Sequence, residues 1–299
     1  MKKYLPPAIK LLGFVIFAAI LWRIDRLQLA LHIAQADKKL LLGALFIIYA
    51  MYICKAARWH ILVKAAGVHM HPVDSWRLFM IGVFLAIITP SRIGELGKAA
   101  YLRKHEMHMK TGISLVVIER LIDIVLIACI AVWGAGVLFG TTWVVVGLLC
   151  LTGCAIALVL LKQHIRALQK IDWLRFTQLI TKPRTALAIT SWTLLGWALY
   201  FTWTILIARA IDVELSIPVL IATLTIVGIV AILPIAPSGL GTREAAMITL
   251  LSPLGIGASQ AVAFSMLIFA VIVSTGMLGG WYWLRGNRPA IMSAESPYW

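Results

Sequence analysis

At 299 residues the chain is 62% hydrophobic and only 13% charged, with a mean hydropathy of +0.95. Soluble domains are nearer half apolar and a quarter charged, so the composition excludes an ordinary soluble enzyme and points to a polytopic, all-α membrane protein. The formal charge of +15 invites a nucleic-acid reading. The basic residues instead fall in short loops between apolar runs, where the positive-inside bias and anionic lipid headgroups put them, so no nucleic acid is expected as a partner.

In chain order, Lys2 and Lys3 precede an apolar run from Ala8 to Trp22. It has the outline of a signal peptide, but Arg23, Asp25 and Arg26 follow where a small-x-small cleavage site is needed. It therefore reads as an uncleaved first transmembrane helix. Six spans are predicted, at 8–24, 40–62, 113–139, 142–161, 186–210 and 258–284, each reaching the roughly 17 to 25 residues that a crossing needs. Two further apolar stretches, 78–89 and 217–236, each run into a motif rich in helix breakers: TPSRIGE (Thr89 to Glu95) and APSGLGTRE (Ala236 to Glu244). Short helix-favouring pieces follow, Leu96 to Leu102 and Ala245 to Leu251. The first stretch is too short to cross at about 1.5 Å per residue and reads as one arm of a re-entrant hairpin. The second is long enough to leave a full crossing open.

Loop charge gives the expected orientation. With both hairpins returning to the side they leave, the termini and loops 63–77, 98–112 and 162–185 share one face. That face collects most of the lysines and arginines, Lys64, Arg77, Lys98 and Lys110 among them. The other face holds Arg23, Arg26, Lys38, Lys39 and Arg209, offset by Asp25, Asp37, Asp212 and Glu214. Both termini are then cytoplasmic. The same layout divides the chain into residues 1–140 and 141–299, each reading span, span, hairpin, span, with Pro90 and Pro237 lying 147 positions apart. Three crossings per half invert the second repeat relative to the first, a design recurrent in secondary transporters with broken helices near the midplane.

Charges at membrane depth cost about 2.5 to 3.5 kcal/mol each on insertion scales, so their positions carry information. The candidates are Arg92 and Glu95 in the first motif, Glu119, Arg120 and Asp123 in IERLID, and Arg243 and Glu244 in the second motif. On a helix Glu119 and Asp123 share a face, and Arg120 and Asp123 are i, i+3 neighbours. Pro90, Gly94, Pro237, Gly239 and Gly241 form the hairpin tips, where proline starts a helix and glycine permits tight backbone. Ser91 and Ser238 are placed to accept hydrogen bonds from N–H groups at the tips. Helix N-termini flanked by Arg92 and Arg243 suit a phosphate. The carboxylates balance the arginines or take protons during a transport cycle. The competing reading makes Arg92–Glu95 and Arg120–Asp123 ion pairs that only fix packing.

The remaining reactive side chains read as structural. Cys54, Cys129, Cys150 and Cys154 fall inside apolar spans and serve as small packing residues rather than disulfide or zinc partners. The histidines lie in or near loops, and His69-x-His71 reads as part of a solvated loop rather than a metal site. No cofactor or metal is expected. Neither G-x-S-x-G, H-E-x-x-H nor a phosphate-binding P-loop occurs, so an enzyme is not expected.

TPSRIGELGKAAYL, VIERLIDIV and APSGLGTREAAM together resemble the membrane region of the lysylphosphatidylglycerol synthase family, in its stand-alone, flippase-like form. The resemblance covers most of the chain and marks Pro90 to Glu95, Glu119 to Asp123 and Gly241 to Glu244 as functional positions. In that family a separate cytoplasmic domain attaches the amino acid, and this chain has no room for it. The implied function is a flippase for an anionic or phosphate-containing lipid: an aminoacyl-phospholipid, a polyprenyl phosphate or a related envelope lipid. The alternatives are an accessory subunit presenting a lipid-linked substrate to a transferase, or an enzyme acting on a lipid phosphate. Expected partners are that lipid and anionic lipids at the cytoplasmic face, with a lipid-modifying transferase and a second copy of the chain as further candidates.

Overall fold

The computed structural model describes residues 7–102, 107–161, 182–232 and 239–285; the side chains of 7–12, 90–92, 158–161 and 232 lie outside that description. Every regular element among these residues is helical: α1 (Pro7–Arg23), α2 (Arg26–Gln35), α3 (Lys38–Ala65), α4 (Pro72–Ile88), α5 (Gly97–Leu102), α6 (Met109–Phe139), α7 (Thr141–Leu161), α8 (Pro183–Ala210), α9 (Ile217–Ile232), α10 (Thr242–Leu251) and α11 (Ala258–Arg285). Short 3₁₀ segments, Pro90–Leu96 and Ser252–Leu254, precede α5 and follow α10.

The helix starts follow local chemistry. Asp25 caps α2 by accepting from the N–H groups of Leu27 and Gln28 at 2.9 and 3.1 Å. Asp37 caps α3 in the same way, through Lys39 and Leu40. These two acids, read from sequence only as loop charges, are N-caps, and α2 is a helix that the span pattern does not predict. Its 10 residues are too few to cross and pack on α11.

Helices coincide with all six predicted spans. Three of them, α3, α8 and α11, are both long and apolar enough to cross a membrane. α6 is longer still, at 31 residues, but carries Glu119, Arg120 and Asp123 in its length. α7 and α9 contain shorter apolar segments, as does the part of α1 from Gly13 to Arg23.

Helix pairing has a pattern of its own. α3 lies along α8; α4 packs on α11, and α6 packs on α9. α5 then rests on α6, and α10 on α11. Between apolar helices in lipid, close backbone approach and van der Waals contact drive association. Gly134 of α6 provides it against Ala222 of α9, and Gly279 of α11 against Met80 of α4. The core runs between α3 and α8 through Ile48, Trp59, Leu62, Trp203 and Ile207, and reaches Phe79 of α4 and Phe264 of α11.

The breaks that follow α4 and α9 position the site. Thr89 leaves the helix in an extended conformation, and Pro90 opens the 3₁₀ segment. The Thr89 hydroxyl donates to Leu85 O at 2.6 Å and accepts from Gly94 N–H at 2.8 Å. One threonine thus ties the turn to the last coil of α4. Gly94 is required there, because a Cβ would run into Leu85 O. At the second break Gly241 takes φ +83° with its backbone against Gly13 of α1, so no side chain fits.

Candidate functional site

Charged side chains from four elements meet inside the helices. Arg58 of α3, only 1% exposed, forks onto Asp123 of α6, donating from Nη1 to Oδ1 at 2.8 Å and from Nη2 to Oδ2 at 2.9 Å. Thr193 of α8 takes a further bond from Arg58 Nη1 at 3.1 Å, and Trp197 Nε1 donates to Asp123 Oδ1 at 3.1 Å. Arg58 Nη2 also lies 3.7 Å from Glu119 Oε1. Glu119, fully buried, accepts from Lys98 Nζ of α5 at 2.5 Å. The Lys98 ammonium sits 4.2 Å from the Trp59 ring centroid and 5.1 Å from that of Phe79, an environment that favours a cation.

Arg120 and Glu95 form the outer layer. Arg120 Nη2 lies 2.5 Å from Glu95 Oε2, an ion pair between α6 and the 3₁₀ turn. Its Nη1 is 3.8 Å from Asp123 Oδ2. Arg120 is therefore shared between two carboxylates on different elements, and its side chain is 27% exposed, against 1% for Arg58 and Lys98.

The second motif builds a smaller cluster. Glu244 accepts from Gly241 N–H at 2.6 Å, capping α10, and its other oxygen accepts from Arg243 Nη2 at 2.8 Å and Ser265 Oγ at 2.7 Å. Ser265, on α11, in turn accepts from Arg243 Nε at 2.6 Å. The Arg243 guanidinium lies 5.1 Å from the Phe269 ring centroid.

Both clusters border one cavity of about 480 Å³. Its walls are mostly apolar and aromatic, with Tyr52, Trp197, Tyr200, Trp203, Leu224 and Met247 among them; Lys55, Glu95, Arg120, Asp123 and Arg243 add charge. Lys55 also lies 5.2 Å from the Trp197 ring centroid. Among the described side chains, five cations (Lys55, Arg58, Lys98, Arg120 and Arg243) stand with four carboxylates (Glu95, Glu119, Asp123 and Glu244), one positive charge in excess. Ile93, Leu96 and Ile124 line the cavity while being 62%, 37% and 51% exposed, so its wall there is continuous with the outer apolar surface.

The sequence candidates sort into groups. Glu95, Arg120, Asp123 and Arg243 reach the cavity, while Glu119 and Glu244 pair with cations behind it. Gly94, Gly239 and Gly241 shape the turns, and Pro90 starts the first. The side chains of Ser91 and Arg92, and all of Pro237 and Ser238, lie outside the described residues.

Two sequence readings change. Lys98 is not a loop cation on the basic face; it is 1% exposed and paired with Glu119. Arg120 does not pair chiefly with Asp123 within its own helix: Glu95 is its nearer partner, and Arg58 takes Asp123. Arg58, Lys55 and Thr89 were missed. The signal for the first two was the stretch CKAARW, two cations one turn apart within an apolar span.

The family model of the lysylphosphatidylglycerol synthase TM region matches residues 10–280. No curated protein matches the chain. With three helices long and apolar enough to cross, the match makes the chain a multi-pass membrane protein.

Proposed function

The chain belongs to the family of the lysylphosphatidylglycerol synthase TM region, and on that premise we propose that it moves a lipid with an anionic, phosphate-containing headgroup across the bilayer. The observation that carries this reading is the shared cavity: an apolar chamber bordered by charges from all three motifs, with a net positive set of side chains around it. A guanidinium offers forked hydrogen bonds to a phosphate. Arg120 is the side chain best suited to exchange partners, since it is shared between Glu95 and Asp123 and is partly exposed. A headgroup phosphate displaces Glu95 from Arg120 and takes a second contact from Arg243. The exposed wall at Ile93, Leu96 and Ile124 leaves the lipid tail in hydrocarbon.

The helix pairing supports an inverted repeat with two re-entrant arms. Matching α3 with α8, α4 with α9 and α6 with α11 turns the α4–α11 contact into the α9–α6 contact and leaves α3–α8 unchanged. Alternating exposure of the cavity between the two halves then follows the logic of repeat-built transporters. The reading is of transport without covalent change, in a bacterial inner membrane with both termini cytoplasmic. Each carboxylate at or behind the cavity has a cation within 4 Å, which suits binding and exchange of charge partners.

The test uses the purified chain in liposomes carrying a headgroup-labelled anionic phospholipid, with an impermeant reductant reporting the outer leaflet. Wild-type protein is expected to bring inner-leaflet lipid into reach. Arg120→Ala and Arg243→Ala are each expected to slow this about tenfold or more, the scale of losing a charged hydrogen bond in a dry site. Crossing that stays at the wild-type rate in both folded variants overturns the reading.

A further inference from the structure

The face of α3 turned away from the cavity carries a second concavity. Ile53, Ala57 and Ile61 form its floor, with Val73 and Trp76 of α4 on one side and Trp192 of α8 on another. Its volume is about 470 Å³, and none of its lining residues borders the central cavity. Ile53 is 55% exposed and Val73 46%, so the groove opens onto the apolar outer surface. Along α3 it runs for about 12 Å at the usual helical rise.

One end of this apolar groove is basic. His60 lines it, and the buried Nδ1 of that imidazole has no hydrogen-bond partner among the described residues. Lys64, exposed, is one turn further along the same face of α3. His71, also exposed, directly precedes the lining residue Pro72 and uses Nδ1 to cap α4. Trp76 and Trp192 are of the residue type that settles at the boundary between hydrocarbon and headgroups. An apolar channel with a basic rim at one end is complementary to one ligand chemistry, an acyl chain attached to an anionic phosphate.

We propose that this groove is a binding site for an anionic phospholipid, separate from the transport cavity. One acyl chain lies along Ile53, Ala57 and Ile61 between the two tryptophans, and the phosphate accepts from His60 and pairs with Lys64. The site stands whether or not the central cavity transports lipid.

Native mass spectrometry of the full chain in detergent tests it, with phosphatidylglycerol and phosphatidylcholine of identical acyl chains titrated in parallel. Wild-type protein is expected to retain phosphatidylglycerol about fivefold better, the scale of one cation near a phosphate. Ala57→Trp fills the groove and lowers retention of both lipids by one bound molecule, and Lys64→Ala, at an exposed position, removes the phosphatidylglycerol preference of that one molecule. Arg120→Ala, in the other cavity, leaves that groove-bound molecule and its preference in place, whatever lipid the central cavity gives up. Equal retention of the two lipids by the wild type overturns the site. So does a preference of the groove-bound molecule that survives Lys64→Ala, or one lost only with Arg120→Ala.

Discussion

The two broken regions of the molecule share a backbone plan and differ in how they spend charge. In the first, Glu95, Lys98, Glu119, Arg120, Asp123 and Arg58 come from α3, the 3₁₀ turn, α5 and α6 and hold one another across elements. In the second, Glu244, Arg243 and Gly241 are almost adjacent in sequence, and among the described residues Ser265 and the Phe269 ring, both of α11, come from another helix. The first cluster is therefore a tertiary device and the second chiefly a helix cap with a cation attached. Removing one partner from a buried pair leaves the other uncompensated, which is costlier than never having had the pair. The first region should feel single substitutions more strongly.

Arg58→Ala breaks this comparison most directly. It strips Asp123 of both forked bonds and Glu119 of its second cation, and a buried charge left in that state costs about 3 to 5 kcal/mol. Thermal unfolding in detergent is expected to show the largest loss of any variant proposed here. Arg58→Lys recovers only part, because an ammonium cannot fork onto a carboxylate. A loss for Arg58→Ala no greater than that for Ser265→Ala would remove the distinction between the regions.

Next in size is a matched pair at the turns. Gly94→Ala and Gly241→Ala each drive a methyl into backbone, Leu85 O in one case and Gly13 O in the other. Overpacking of this kind costs about 1 to 3 kcal/mol. Gly241 also sits at φ +83°, which adds about 1 to 2 kcal/mol for a residue with a Cβ. Gly241→Ala is expected to be the worse of the two, and to loosen α1 specifically. Limited proteolysis within Pro7–Arg23 reads that release; equal cleavage in both variants refutes it.

Sequence reasoning located nearly every helix of this structure because apolar run length and breaker residues fix helix ends locally. It found Glu95, Glu119, Arg120, Asp123 and Arg243 for the same reason: a charge in an apolar run is conspicuous. It could not assign partners. That Arg120 reaches Glu95 rather than its own-helix neighbour Asp123 depends on where the 3₁₀ turn lies beside α6, a tertiary fact. Lys98 was misplaced because a lysine three residues past the first motif, in a piece too short to span, counts among the loop charges. Its burial depends on Glu119 and on the Trp59 and Phe79 rings, contributed by α6, α3 and α4. The short amphipathic α2 has too little apolar length to register as a span, and only its Asp25 cap announces it.

The smallest predicted effect asks how self-contained the second region is. Ser265 joins the cap of α10 to α11, donating to Glu244 and accepting from Arg243. Ser265→Ala removes both bonds but leaves the Arg243–Glu244 pair and the Glu244 bond to Gly241 N–H intact. With the charges still compensated, the loss should be about 1.5 kcal/mol, the low end for hydrogen bonding to charged groups. Unfolding of the single variant and of Ser265→Ala combined with Glu244→Gln then measures the coupling. If the cap is local, the double variant loses little beyond Glu244→Gln alone, since the hydroxyl acts mainly through that carboxylate. A larger, additive loss would mean that Ser265 binds Arg243 to α11 independently, making the second cluster a tie between helices like the first.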